Sequence, residues 1–239
     1  MNINAASVKK ILFNRRIIIA CLLLLITFFS LAGLYAYSLV KHAPVWWRTI
    51  NPDDEKTIRL GSDVERGFTA AISHDRPAGE IWAFRITSSQ ANAWLNTRLP
   101  LWLANRDQPL YLPDSLREMQ VQFDRGKAYI GVVVTAGRHD RIFTASVRPE
   151  IRDGRLLLTA STFSAGQLGM PASVFLDLIR KSLPRDMRNS PSADHAFAVL
   201  RGKETLEPVF RLDDGRQLRV LKTELKDGEL VVTCRTETP

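Results

Sequence analysis

Residues 17 to 40 run for 24 positions without a charged side chain. As a helix rising 1.5 Å per residue, a stretch of this kind reaches about 36 Å, enough to cross a hydrocarbon core of roughly 30 Å. A helix in the core of a soluble domain would not be apolar all round, so a membrane span is the reading. Lys9, Lys10, Arg15 and Arg16 precede it and only Lys41 and Arg48 follow closely. This asymmetry predicts a cytoplasmic N-terminus and an exported remainder. The chain then divides into a basic tail at 1–16, a transmembrane helix at 17–40, a juxtamembrane connector at 41–56 and an extracytoplasmic α+β domain at 57–239.

A cleaved signal peptide is the main rival, since Ala36-Tyr37-Ser38 has small residues at the cleavage spacing. The apolar run exceeds the roughly 7 to 15 residues usual for such a signal, which favours an anchor. Cys21 has almost no apolar segment before it, as a lipidation site would need, and Asn14-Arg15-Arg16 matches a twin-arginine signal poorly. Arg15, Arg16, Trp46 and Trp47 are the candidate membrane-interface residues. Paired tryptophans just past a span suit the headgroup level, the alternative being that they pack into the domain.

The net charge of +8 would suggest nucleic acid if it lay on the domain. Half of it is in the tail, and the +4 that remains alternates in sign, as in Asp63-Val64-Glu65-Arg66. A solvated mixed surface is expected, with no nucleic-acid partner. Cys21 lies in the span and Cys234 near the C-terminus, so no disulfide framework is expected and the domain must be held by its core.

Leu60, Val64, Phe68, Ala71 and Ile72 recur at helical spacing and predict a helix near 57 to 73. A strand over 80–86 leads into Thr87-Ser88-Ser89-Gln90, which has the form of a capping box. Pro100 should kink or split the helix that follows. Met119, Val121 and Phe123 alternate with Gln120, Gln122 and Asp124, the pattern of a half-buried strand. Turns at Arg125-Gly126-Lys127, at 137–140 and at Asp153-Gly154 predict four consecutive antiparallel strands. Residues 165–171 should then leave the sheet for a helix ending near Leu183, with Val174, Phe175, Leu178 and Ile179 as its apolar stripe. Met187 to Ala193 reads as a loop, 196–200 as a short helix, and 206–212, 217–224 and 229–235 as strands. The expected fold class is α+β: a transmembrane helix, then a curved antiparallel sheet with about three packed helices.

No motif for chemistry survives this pass. His42, His74, His139 and His195 lack ligand spacing, and His139-Asp140 and Asp194-His195 have no nucleophile elbow beside them. The glycines of Gly166-Gln167-Leu168-Gly169 do not complete a dinucleotide or phosphate loop. Asp213-Asp214-Gly215 and Asp227-Gly228 read as turns, since the other ligands of a calcium loop are missing. No catalytic residue, metal or cofactor is expected. What stands out is apolar: Trp82, Phe84, Trp94, Trp102, Phe163 and Phe175 either form the core or enclose a cavity between helices and sheet.

Ile86-Thr87-Ser88-Ser89-Gln90-Ala91-Asn92-Ala93-Trp94-Leu95 resembles the YpmS-like family of single-span bacterial surface proteins, as do Asp153 to Leu158 and Gly166 to Pro171. Over residues 80–183 the resemblance implies a helix packed on a strongly bent antiparallel sheet, reminiscent of tubular lipid-binding domains. It implies no activity. The chain departs from the family pattern at Pro100 and beyond residue 204. The functional expectation is a non-enzymatic domain at the cell membrane that binds lipid or another apolar ligand through Trp94, Leu95, Trp102, Phe175 and Leu178. The alternative is an interaction or scaffolding subunit with an envelope protein partner and no ligand.

Overall fold

The computed structural model describes residues 5–105, 111–136, 139–182, 188–212 and 214–237. The side chains of Arg15, Arg16 and Leu178, and the expected helix end at Leu183, lie outside what is described. The chain is α+β. Helix α1 (Ala5–Lys41) contains one stretch, Ala20–Lys41, long and apolar enough to cross a membrane, and only its C-terminal end packs on the rest of the protein.

Helix α2 (Glu55–Ser73) starts where the Asp54 carboxylate accepts from Thr57 N–H at 3.1 Å. This satisfies one of the donors that every helix start leaves open. Its last carbonyls are satisfied by arginines from outside the helix. Arg76 donates to Ala71 O, and Arg216 donates to His74 O at 2.9 Å and Ile72 O at 3.4 Å.

Strand β1 (Ile81–Thr87) runs into α3 (Ser88–Thr97) through the expected capping box. Gln90 N–H donates to Thr87 Oγ1 at 3.2 Å, and Thr87 N–H donates to Gln90 Oε1 at 2.9 Å. Pro100 splits the helix as expected, leaving α4 (Leu99–Ala104) as a separate turn and a half. Trp102 N–H still reaches Arg98 O and Arg98 N–H reaches Trp94 O, both at 2.9 Å, so the helical path continues across the break.

The strands form two antiparallel sheets where one curved sheet was expected. β2 (Leu116–Asp124), β3 (Lys127–Ala136), β4 (His139–Arg152), β5 (Arg155–Ala165) and β6 (Leu168–Met170) lie side by side in chain order. After α5 (Ala172–Ser182) and α6 (Pro191–Leu200), strands β7 (Val209–Arg211), β8 (Gln217–Lys226) and β9 (Glu229–Glu237) join β1 in the order β1-β9-β8-β7. The sheets meet at their hairpin tips, where Gly126 N–H donates to Leu225 O at 3.1 Å and Gly228 N–H to Phe123 O at 3.0 Å. Ala91, Val121, Phe123 and Ala128 are buried at this junction, with Ile86, Leu225 and Leu230 against them, so one apolar cluster joins both sheets to α3.

Several local expectations change. Residues 165–171 do not leave the sheet at once: Gly166, at a φ of +56°, turns the chain into β6, and the helix starts two residues beyond Met170. In α5 Val174 is exposed while Leu176, absent from the expected stripe, is buried with Phe175 against Phe163 and Phe197. The stretch read as a loop up to Ala193 contains the start of α6, because Ser190 accepts from Ala193 N–H at 3.1 Å and Pro191 follows at the first helical position. β7 is shorter than expected, Leu206 instead bridging to Leu156.

Candidate functional site

The strand register places Val121, Ile130, Ala145, Phe163 and Met170 in one transverse row across all five strands of the larger sheet. All five side chains are apolar and share a face. At the β2 end Val121 is buried with Ala91 of α3, and Leu95 packs onto the same cluster. At the β5 end Phe175 of α5 lies on Phe163, with ring centroids 4.6 Å apart, and reaches Phe143 at 6.3 Å. Between these two covered ends Ile130 stands 46% exposed. The face is therefore closed by helices at both sides and open in the middle.

Helix α3 is held at the β2 edge by a ladder of polar side chains. Ser88, Asn92 and Asn96 recur every four residues, about 6.0 Å along a helix, and face Phe123, Val121 and Met119, which recur every two residues, about 6.7 Å along a strand. The near match lets Ser88 Oγ accept from Phe123 N–H at 2.9 Å, Asn92 Oδ1 from Val121 N–H at 2.6 Å and Asn96 Oδ1 from Met119 N–H at 3.0 Å. Asn96 also donates to Met119 O at 2.7 Å. An edge strand that would otherwise present a row of unpaired amides is thus sealed by a helix.

The opposite face of the same sheet carries Gln120, Gly131, Thr144 and Ser164 in the neighbouring row. By alternation it reads as a solvent face, yet Gln120 is 1% exposed and Ser146 2%. The connector covers it. Trp46 and Trp47 are half-buried on β3, where a Cβ at Gly131 would lie 2.5 Å from the Trp47 ring and 3.0 Å from the Trp46 ring. Trp46 also faces Tyr129 at 6.0 Å between centroids. Arg48 N–H donates to Gln120 Oε1 at 3.2 Å, and Gln120 Nε2 donates back to Arg48 O. The hydroxyls beneath pair with each other, Thr144 with Ser164 at 2.6 Å and Ser146 with Ser161 at 2.7 Å.

The end of α1 is fastened to the same sheet. Gln167 N–H donates to Leu39 O and Gln167 Nε2 to Ala43 O, both at 2.9 Å. These bonds satisfy carbonyls that a helix C-terminus leaves open. Gly166 is needed there twice over: its φ is positive, and a Cβ would sit 2.5 to 2.7 Å from the carbonyl oxygens of Val40, Leu39 and His42.

Four of the five expected ligand residues have described side chains, and these four lie on separate parts of the fold. Leu95 belongs to the cluster at the sheet junction, Trp94 is half-buried on α3, and Phe175 lies at the far end of the row. Trp102 is 47% exposed on α4. The sequence pattern did not single out Ile130, because only its position between two covered ends makes it notable. A separate cleft of about 600 Å3 is polar, lying between the connector and the N-terminal turns of α2 and α3, with Arg48, Asn51, Asp54, Ser89 and Gln122 on its walls.

For chemistry, His195 Nδ1 contacts the Glu204 carboxylate on the surface, and His42 Nδ1 lies 2.7 Å from Ser38 O. Among the described residues no three His, Cys, Asp or Glu side chains converge. Cys234 is fully buried in β9, and burial pushes its thiol up to about 11, so it stays protonated and unreactive in the fold. No family model matches the chain, and no curated protein or solved structure is detectably similar to it.

Proposed function

We propose that the chain is a membrane-tethered, non-enzymatic domain that accepts an acyl chain or another apolar molecule on the larger sheet, across Ile130 and between α3 and α5. The observation that supports this is the apolar row with covered ends and an exposed centre at Ile130. Exposed apolar stretches bounded by helices are where apolar ligands gain from leaving water. Leu95 and Phe175 are then walls of the site and Ile130 its floor. Basic residues ahead of the span favour a cytoplasmic tail and an extracytoplasmic domain on the inner membrane of the cell envelope, which puts the site within reach of lipid.

The test uses the full chain in nanodiscs of phosphatidylcholine with a diazirine-bearing palmitate. Crosslinks are expected on residues 128–147 and should fall several-fold in Ile130→Asp. Labelling confined to α1 would sink the reading. A scaffolding role without ligand draws on the polar cleft beside the connector. It is favoured instead if crosslinked membranes yield one stoichiometric partner whose recovery is lost on Asn51→Arg.

A further inference from the structure

Helix α4 carries two large apolar side chains in water, Leu101 at 51% and Trp102 at 47% exposure. Leu103 on its other side is buried, so the helix is seated and its outer face is the apolar one. A Leu-Trp pair facing water on a short helix is unusual unless something covers it. The register says what lies at that level.

The end of α1 meets the larger sheet at its lower rim: Gly166, which packs on the carbonyls of Leu39 and Val40, donates to Ile142 O at 2.7 Å. Ile142 pairs with Val133, and the adjoining row is Arg141, Val134 and Leu116. The end of α1 thus lies level with the first residues of β2 and β4. Helix α3 runs antiparallel to β2, with Asn96 level with Met119. Five residues of helix from Asn96 to Leu101 advance about 7.5 Å. Three residues of strand from Met119 back to Leu116 cover about 10 Å. Leu101 and Trp102 therefore come level with the same rim, on the far side of β2 from the span. Tyr111, 72% exposed, precedes a turn that ends there, since Leu116 N–H donates to Pro113 O at 2.8 Å and Thr135 N–H to Ser115 O at 2.7 Å.

We infer that α4 is a second membrane contact: Leu101 and Trp102, with Tyr111 beside them, enter the headgroup layer of the bilayer that α1 spans. The occupant is lipid because the face is apolar with aromatic tips, the composition suited to the interface, and because it continues a contact the chain already makes at that level. Two separate contacts fix the tilt of the sheet on the bilayer, whereas α1 alone would leave it free to turn about the helix axis. Trp46 and Trp47, committed to Gly131, are not the outermost aromatics. This inference rests on the span alone and stands or falls apart from ligand binding at Ile130.

The experiment places the full chain in nanodiscs of phosphatidylcholine brominated on its acyl chains. Trp102→Phe should remove lipid-quenched emission belonging to one of the five tryptophans, while Trp82→Phe, in the smaller sheet, should not. As a second readout, a nitroxide on Leu101→Cys in a Cys21→Ser chain should be more accessible to oxygen than to a water-soluble nickel complex. Unchanged quenching in Trp102→Phe, or a label at 101 dominated by nickel, overturns the proposal. So does protection of both sites that appears only with rising protein concentration, which would mark a second copy as the cover.

Discussion

The four-stranded sheet buries one face and gives the other to solvent, whereas the five-stranded sheet has helices over both ends of one face, with Ile130 open between them, and the connector lying over the other. In the smaller sheet, Trp82, Phe84, Leu218, Val232 and Cys234 form the inner face. Its outer face is a lattice of charges: Arg219 and Arg235 on Glu237, Lys222 on Glu224, and Lys226 and Arg85 on Glu229. This is ordinary half-exposed antiparallel sheet. In the larger sheet the second face is polar and covered over β2 to β4, where Gln120, Thr144 and Ser146 are buried, the hydroxyls paired and Gln120 bonded to the connector backbone and to Glu118, while Ser161 and Thr162 of β5 are exposed. The difference follows from the tether. A sheet fastened to the end of α1 has the connector lying across it, and the buried polar groups are those that this segment and its own neighbours satisfy.

If that contrast holds, damage to one sheet should be legible separately from damage to the other. The largest effect is expected from Leu176→Ala. Leu176 is 2% exposed in the cluster that seats α5 and α6 on β5, and truncating a buried leucine costs about 2 to 5 kcal/mol. Thermal unfolding monitored with hydrogen exchange should show β4, β5 and α6 losing protection while β8 and β9 keep theirs. Equal loss in both sheets would mean that the cluster at the hairpin tips couples them into one unit.

A smaller loss is expected from Asn92→Leu, which fills space but leaves Val121 N–H without its acceptor. A buried donor left unpaired costs about 1 to 3 kcal/mol. The specific readout is the Val121 amide, which should exchange faster than the Phe123 and Met119 amides held by Ser88 and Asn96. Asn92→Asp restores the acceptor and should recover much of the protection.

What could be read from sequence follows the same division. The smaller sheet alternates apolar and charged residues along β8 and β9, its turns carry Asp-Gly, and these two strands were expected within two residues of where they lie. The capping box and the break at Pro100 are local chemistry and were legible for the same reason. The larger sheet was legible as strands, yet not in its surroundings. Gln120 alternates with Met119 and Val121 as a solvent-facing residue would, and nothing local says that Arg48, 72 positions earlier, lies over it. Ser88, Asn92 and Asn96 are polar at helical spacing, the usual signature of an exposed stripe, but they face a strand edge. Ile130 was hidden by the opposite error: an apolar residue in an apolar strand looks like core, and only packing shows that the helices stop short of it. The candidate site was therefore half legible, through Leu95 and Phe175 at its walls and not through its floor.

The smallest expected effect concerns acid, and it sharpens the comparison most directly. Arg219, and then Arg235, hold the Glu237 carboxyl below its usual value of 4.5, and Lys222 does the same for Glu224. A carboxylate whose folded pKa is depressed adds stability that is fully present above the unfolded value and is lost as pH falls through the folded one. Protection of β8 and β9 should thus be flat from neutral pH down to about 5 and decline below that. In Glu237→Gln the decline should be shallower. The pairs that fill the polar face of the larger sheet, Thr144 with Ser164, Ser146 with Ser161 and Gln120 with the Arg48 backbone, do not titrate in this range. Protection of β3 and β4, corrected for intrinsic exchange rates, should therefore outlast that of β8 and β9 on acidification. A sheet that wears its charges outside loosens in acid before one whose covered polar face holds mainly uncharged groups, Glu118 beside Gln120 being the carboxylate there, and simultaneous loss from both would show that the covered face does not confer that difference.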